Sequence, residues 1–182
     1  FDFLRIDSWD GENFYAYVNG TQVDFGSFKL NQVNSARSGS TGNISWSMSA
    51  GSPIPGGAGR DVPSWSEEIH QVTMTVTNPA TPITIGFGSS LDQGPNDESW
   101  GVDNLNITTN ESPDGSPDGS PEEPAGTFSW TDDFENGTSG WTKGQTETFG
   151  NGNTYLFGFR GFGSTVADIQ RTFDLPANTN EV

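Results

Sequence analysis

The chain has 182 residues, of which 30% are hydrophobic, and its 24 acidic residues against 7 basic ones give a net charge of −17. This charge repels phosphate backbones and anionic lipid headgroups, which argues against nucleic acid and membrane surfaces as partners. Cysteine is absent, which excludes disulfides and thiol nucleophiles, and there is no run of about 18 apolar residues for membrane insertion.

The composition predicts an all-β fold of short antiparallel strands joined by tight turns, with 24 glycines and 11 prolines. The chain opens inside the strand-like segment FDFLRID without a preceding signal peptide, which is typical of a mature secreted product or of a piece of a longer chain. Period-two alternation predicts half-buried strands at residues 14–18, 72–76, 83–87 and 155–159.

Two further strands are predicted at residues 43–48 and 102–107, and a Gly- and Pro-rich surface loop at residues 49–63. Asn19-Gly20 predicts a type I′ hairpin turn, because both residues tolerate positive φ. The segment TQVDF is then the returning strand.

Residues 108–126 differ from the rest of the chain in composition. They contain no apolar anchor, a short DGSP repeat and five acidic residues. Such a sequence cannot bury enough surface to offset its ordering entropy, so it predicts a linker. The 56 residues after it are few for an independent sandwich, and residues 1–107 lack an evident first strand. We therefore expect residues 127–182 and 1–107 to be the N-terminal and C-terminal portions of one domain, seen in circularly permuted order.

Read in that rejoined order, the domain opens with Asp133-Phe134-Glu135 and Trp141, and it closes with the segment WGVDNLNI, residues 100–107. It resembles the calcium-binding jelly-roll domains typified by carbohydrate-binding modules and by repeat domains of bacterial surface proteins. The resemblance implies an antiparallel jelly-roll sandwich. It also implies one structural Ca²⁺ held by Glu135 and Asp103, where the first and last strands meet.

Three acidic groups are candidate calcium ligands, because Ca²⁺ takes about 6–8 oxygen ligands in flexible geometry. They are Asp7, Asp10 and Glu12; Asp92, Asp97 and Glu98; and Asp132, Asp133 and Glu135. The alternative is a solvated acidic surface. A glycosidase pair of carboxylates is disfavoured, because the E-x-D-x-x-E strand is absent.

No enzymatic activity is expected. His70 is the only histidine, and no G-x-S-x-G nucleophile elbow is present. We interpret His70 as a structural residue.

We expect a secreted, cell-surface structural subunit or repeat that assembles head to tail with identical copies into a filament. The sequence leaves open whether these copies are separate chains or one covalent array. The alternative is a carbohydrate-binding or adhesin module, with Trp65, Tyr15 and Tyr17 as the candidate sugar-stacking rings. Five N-x-S/T sequons mark candidate glycosylation sites, at Asn19, Asn43, Asn106, Asn110 and Asn136.

Overall fold

The computed structural model describes residues 1–32, 34–54, 65–111, 128–148, 152–159, 169–176 and 179–182. The described residues are all-β, and they contain no helix that could traverse a lipid bilayer. The strands are β1 (Asp2–Asp7), β2 (Asp10–Val18), β3 (Thr21–Lys29), β4 (Arg37–Thr41), β5 (Ile44–Met48), β6 (Ser52–Pro53), β7 (Glu68–Val76), β8 (Ile83–Ser89), β9 (Glu98–Asp103), β10 (Leu105–Thr108), β11 (Asn110–Glu111), β12 (Ser129–Asp132), β13 (Gln145–Thr148), β14 (Thr154–Gly158), β15 (Ile169–Phe173) and β16 (Thr179–Glu181).

The strands form antiparallel sheets consistent with a β-sandwich, which confirms the predicted all-β, antiparallel sandwich class. The larger sheet has the order β13-β14-β9-β1-β7-β5-β4, with β6 beside β7, and the four-stranded sheet has the order β15-β8-β2-β3. Two short pairs, β10 with β12 and β11 with β16, complete the described structure. One apolar core joins the two sheets, with Phe3 of β1 stacked on Phe14 of β2 at a centroid distance of 4.0 Å.

Strands from both sides of residues 112–127 share each sheet. In the larger sheet β14 pairs with β9, so that Leu156 lies opposite Val102, and both side chains are fully buried. In the smaller sheet β15 pairs with β8, with Ile169 opposite Phe87. The C-terminal segments are therefore integral to the same core as the N-terminal ones.

The predicted hairpin at Asn19-Gly20 is confirmed. It joins β2 to β3, and the two residues have φ angles of 48° and 80°, the positive values that a type I′ turn requires.

The single strand predicted at residues 102–107 is wrong. Asn104 adopts a φ of 49°, and this left-handed residue ends β9 and starts β10, which leaves the larger sheet to pair with β12. The Asn104 backbone N–H donates to Asp103 Oδ1 at 2.7 Å, a local bond that favours the turn.

The predicted loop at residues 49–63 contains the two-residue strand β6, which pairs with β7, while residues 55–64 lie outside the described residues. Strands β10 and β11 continue into the first residues of the predicted linker, as far as Glu111. The remainder of the linker also lies outside the described residues.

Candidate metal centre

Two carboxylates of β2 and one of β9, which is distant from them in sequence, meet at one end of β1. Asp10 and Glu12 of β2 and Glu98 of β9 offer oxygen atoms that all lie within 4.8 Å of one another. We call these three residues the Glu98 cluster. It combines members of two of the acidic groups that the sequence marked as calcium ligands.

The β1–β9 pairing brings the two groups together. Asp7, the last residue of β1, lies opposite Glu98, the first residue of β9. Beyond this pair, Ser8 ties the β1–β2 turn to the loop before β9. Its backbone N–H and hydroxyl both donate to the Asp97 carbonyl, and the hydroxyl also lies against Asp97 Oδ1. Asp97 therefore acts as a tether between the two segments that carry the cluster.

The Glu12 carboxylate is held by backbone donors of its own strand. Glu12 Oε2 accepts hydrogen bonds from the N–H groups of Asp10 at 2.7 Å and Gly11 at 3.1 Å. These bonds involve only one of its two oxygens. The arrangement fixes the carboxylate beside Glu98.

Glu98 is fully buried, and among the described residues its Oε1 has no hydrogen-bond partner. Its other oxygen accepts a long bond, 3.4 Å, from the Gln93 N–H, and backbone hydrogen bonds from Gln93 and Asp92 act to lower the pKa of the carboxyl. Burial, with the negative charge of Glu12 adding to it, raises the pKa of Glu98 to about 7. A buried carboxylate of this kind needs a proton or a cation to balance its charge.

A second acidic region lies at the other end of the β1–β9 ladder, where Asp2 faces Asp103. We call Asp2, Asp103 and Glu135 the Asp103 cluster. The two ends of the ladder, Asp103 and Glu98, are five residue steps of extended strand apart, a distance of about 17 Å. This second cluster contains the pair that the resemblance assigns to a structural calcium.

Each carboxylate of the Asp103 cluster accepts at least one hydrogen bond from an amide N–H. Asp103 Oδ2 accepts from Asn153 Nδ2 at 2.7 Å, and Asp2 Oδ2 accepts from Asn104 Nδ2 at 2.9 Å. Glu135, which is exposed, accepts the Thr154 N–H on Oε1 at 2.7 Å. Burial raises the pKa of Asp103, and the nearby charges of Asp2 and Glu135 add to this, while the Asn153 and Asn104 donors oppose it.

The sequence did not identify Asp2, Asn153 or Thr154 as parts of this region. No motif marks them, because their proximity to Asp103 depends on the pairing of β9 with both β1 and β14. An amide donor from a distant segment leaves no local sequence pattern.

The other acidic candidates occupy supporting positions. Asp7 is buried at a φ of 66°, and Asp92 contributes to the electrostatic surroundings of Glu98. Asp132 accepts bonds from the Phe134 N–H and the Trp141 ring, and Asp133 is exposed and accepts the Glu135 N–H at 3.3 Å.

The candidate sugar-stacking rings lie in two places. Tyr17 is only 3% exposed, Tyr15 is half-buried, and their rings are inclined at 69°, so they do not form a flat platform. Trp65 is half-buried and lines a cavity of about 500 Å³ together with Asn31, Gln32 and Glu67.

His70 is fully buried against Phe3, which agrees with a structural role. Its Nδ1 lies 3.0 Å from the Ser49 carbonyl oxygen, and its Nε2 lies 3.4 Å from Glu68 Oε2. Glu68 also lies 3.5 Å from Arg5 Nε, so one carboxylate faces both the guanidinium group and the imidazole ring.

The candidate glycosylation sites differ in their surroundings. The side chains of Asn19, Asn43, Asn106 and Asn136 are exposed, and Asn110 lies on β11. The side-chain amide of Asn43 donates to the Thr77 carbonyl, and Asn19 Oδ1 accepts the Thr84 N–H at 2.7 Å. Asn106 and Asn136 lie beside the β10–β12 pair, where they line one polar cavity.

Comparison of the chain with protein-family models, curated proteins and solved structures gave no match.

Proposed function

We propose that the chain is a structural subunit or repeat of an extracellular filament built head to tail from identical copies. In this proposal the sandwich is a circularly permuted jelly roll, in which residues 127–182 of one copy complete the sheets begun by residues 1–107 of the next. Residues 108–126 connect successive sandwiches.

One observation carries the proposal: both sheets need strands from each side of the linker. Without β14 and β15, the edges of β9 and β8 would lose their backbone partners, and Val102 and Phe87 would lose the residues opposite them. Unpaired edges with apolar neighbours recruit equivalent strands from other copies.

The linker ends also favour exchange between copies. The Thr109 N–H donates to the Phe128 carbonyl at 3.0 Å, so the chain leaves and re-enters the sandwich at one point. Residues 112–127 can span at most about 58 Å when extended. A segment with this reach can bridge to a neighbouring sandwich, and non-closing exchange of this kind produces fibres.

Two complementary variants of the full chain test completion between copies. Val102→Asp damages the N-terminal part of the core and Leu156→Asp the C-terminal part, so neither variant should fold alone. When the two are refolded together, the intact N-terminal part of Leu156→Asp can pair with the intact C-terminal part of Val102→Asp.

The mixture should recover tryptophan fluorescence and near-ultraviolet circular dichroism as a heterodimer, and electron microscopy of concentrated wild-type chain should show filaments. Each variant refolded with itself is the control. A mixture that remains unfolded, with wild type that stays monomeric at all concentrations, contradicts the proposal.

We also propose that Ca²⁺ binds the Glu98 cluster and stabilises each sandwich. Its ligands are hard carboxylate oxygens, and the buried Glu98 Oε1 is available to a cation. Extracellular calcium modules bind at about 10⁻⁴–10⁻³ M, an affinity that a site with three carboxylates can reach.

A second candidate function is carbohydrate binding at the Trp65 cavity, because an indole ring beside amide and carboxylate groups suits a sugar. A glycan array with wild type and Trp65→Ala tests it. Binding that Trp65→Ala abolishes, without loss of thermal stability, favours an adhesin module over a purely structural subunit.

A further inference from the structure

One edge of strand β7 has a gap that the two chain ends border. Val72 exchanges both backbone hydrogen bonds with Phe1, at 3.0 and 2.8 Å, and Val76 exchanges both with Val182, at 2.6 and 3.1 Å. Between these two pairs, no described residue pairs with this edge of β7.

The register fixes the size of the gap. Reciprocal bonds between the same two residues mean that both end segments run antiparallel to β7. A strand that continued from Val182 along this edge would place three residues opposite Thr75, Met74 and Thr73 before it reached Phe1. In an antiparallel ladder every second residue faces the same neighbour, so Met74 presents its N–H and C=O to the gap.

The gap opens onto a cavity of about 320 Å³ that is lined mainly by apolar residues, with Thr73, Asn106 and Thr108 also at its wall. The core-facing side chains of Val18, Phe87 and Ile107 line it, and they are at least nine-tenths buried. In contrast, Met74, Ile85, Phe1 and Val182 are only partly buried, although they pack on the same core. Among the described residues, none places a side chain opposite Met74 on this edge of β7.

We propose that three residues joining Val182 of one copy to Phe1 of the next fill this gap as an extended polar–apolar–polar segment. The segment merges β16 and β1 into one strand along β7. The inference rests on the proposed filament and deepens it, because it makes successive copies one covalent array. The side chain of the middle residue enters the cavity, since residues directly opposite in a sheet share a face and Met74 faces the core.

Backbone cyclisation of the full chain tests the inference, because a cyclic chain keeps all 182 residues and forms the joint within one molecule. The joint Thr-Ile-Thr should give a melting temperature about 5 °C or more above that of Thr-Asp-Thr, since aspartate would bury its charge in an apolar cavity. It should also slow hydrogen exchange of the Met74 amide about tenfold or more relative to the linear chain.

Joints of two and four residues are the matched controls, and they should melt below the three-residue joint because they strain or shift the register. A linear chain extended by Thr-Ile-Thr separates gap filling from the entropic effect of ring closure. The inference is overturned if the Ile and Asp joints melt together, if joint length has no effect, or if Met74 exchange is unchanged.

The outcome is independent of the filament test. A cyclic monomer reports on the gap alone, whereas the complementing variants report on exchange between copies. Failure of either experiment therefore leaves the other interpretable.

Discussion

The two acidic regions lie at opposite ends of the same strand pair, but they balance their buried charge differently. In the Asp103 cluster, side-chain amides and a backbone N–H donate to Asp103, Asp2 and Glu135. In the Glu98 cluster, three carboxylate groups converge and a buried oxygen of Glu98 has no donor among the described residues. Amide donors stabilise the charge of a buried carboxylate without a cation. Neighbouring carboxylates add negative charge, so a carboxylate among them needs a cation or a proton.

The contrast teaches that the number of acidic residues is a poor guide to a metal site. The segment TDDFE has as many acidic residues as IDSWDGE, and carboxylates of both accept bonds from nearby backbone N–H groups. Among the described residues, however, only Asp10 and Glu12 of IDSWDGE converge with a third carboxylate. The donors around a carboxylate decide whether it is available to Ca²⁺.

The largest expected effect is the loss of calcium stabilisation in Glu98→Gln. Saturating Ca²⁺ should stabilise wild type by about 2–3 kcal/mol when its concentration is about 100 times the dissociation constant. Glu98→Gln should lose most of this gain, because the substitution removes the buried charge. Calorimetric melting with Ca²⁺ or chelator measures the gain.

Asp103→Asn is the matched control, and it should keep most of the calcium gain. The opposite pattern, with the gain kept in Glu98→Gln and lost in Asp103→Asn, would place the cation in the Asp103 cluster, as the resemblance implies.

The pH dependence should be of comparable size. Because the pKa of Glu98 is raised in the folded state, the folded chain holds a proton that the unfolded chain has lost between pH 4.5 and about 7. Without metal, stability should therefore fall as pH rises through this window, by about 3 kcal/mol.

In Ca²⁺ the loss of stability with rising pH should be smaller, because the cation replaces the proton on Glu98. Glu98→Gln should also lose less stability as pH rises without calcium, because glutamine does not titrate. Chemical denaturation at a series of pH values, in chelator and in Ca²⁺, provides the measurement. An equally steep loss in Glu98→Gln would assign the titration to another group.

A smaller effect is expected when the Asp103 cluster loses a donor. Asn153→Ala removes the amide from Asp103 Oδ2 and should cost about 1–2 kcal/mol, with the calcium response unchanged. Asn106→Ala, an exposed substitution on β10, is the control and should be close to neutral. If Asn153→Ala alters the calcium gain, the two clusters are coupled along the β1–β9 ladder.

The smallest effect is expected for Ser8→Ala. The change removes the hydroxyl that ties the β1–β2 turn to Asp97, which should cost about 0.5–1 kcal/mol and weaken calcium binding less than tenfold. Ser47→Ala, in the exposed part of β5, is the comparison. An undiminished calcium affinity in Ser8→Ala would show that the tether does not position the ligands.

The sequence predicted features whose cause is local. Asn19-Gly20 specifies its hairpin because the turn needs positive φ at both residues. The break at Asn104 was not predicted, although it had a local signal. Val102 and Leu105 are three residues apart, so no single strand could bury both on one face.

The candidate site could be predicted only in part. Asp10, Glu12 and Glu98 were each marked as ligands, but their convergence depends on β1 pairing with β9, across more than 80 residues of chain. The burial of Glu98 and the lack of a donor for its Oε1 are properties of the packed core. No pattern in the residues 98–103 distinguishes this carboxylate from a solvated one.

The adjacency of Thr109 and Phe128 has a mechanical consequence for an array of these sandwiches. Tension transmitted through the linkers would pull on β10 and β12 from the same end of their ladder, where Thr108 faces Ser129. Backbone bonds perpendicular to the strands then break one after another rather than together, so this pair should unzip at low force before the sandwich unfolds. Single-molecule pulling on tandem copies should show this early extension, and a single high-force step would contradict it. In the proposed filament, the β10–β12 pair at each linker would extend first under load and so limit the force that reaches the sandwich.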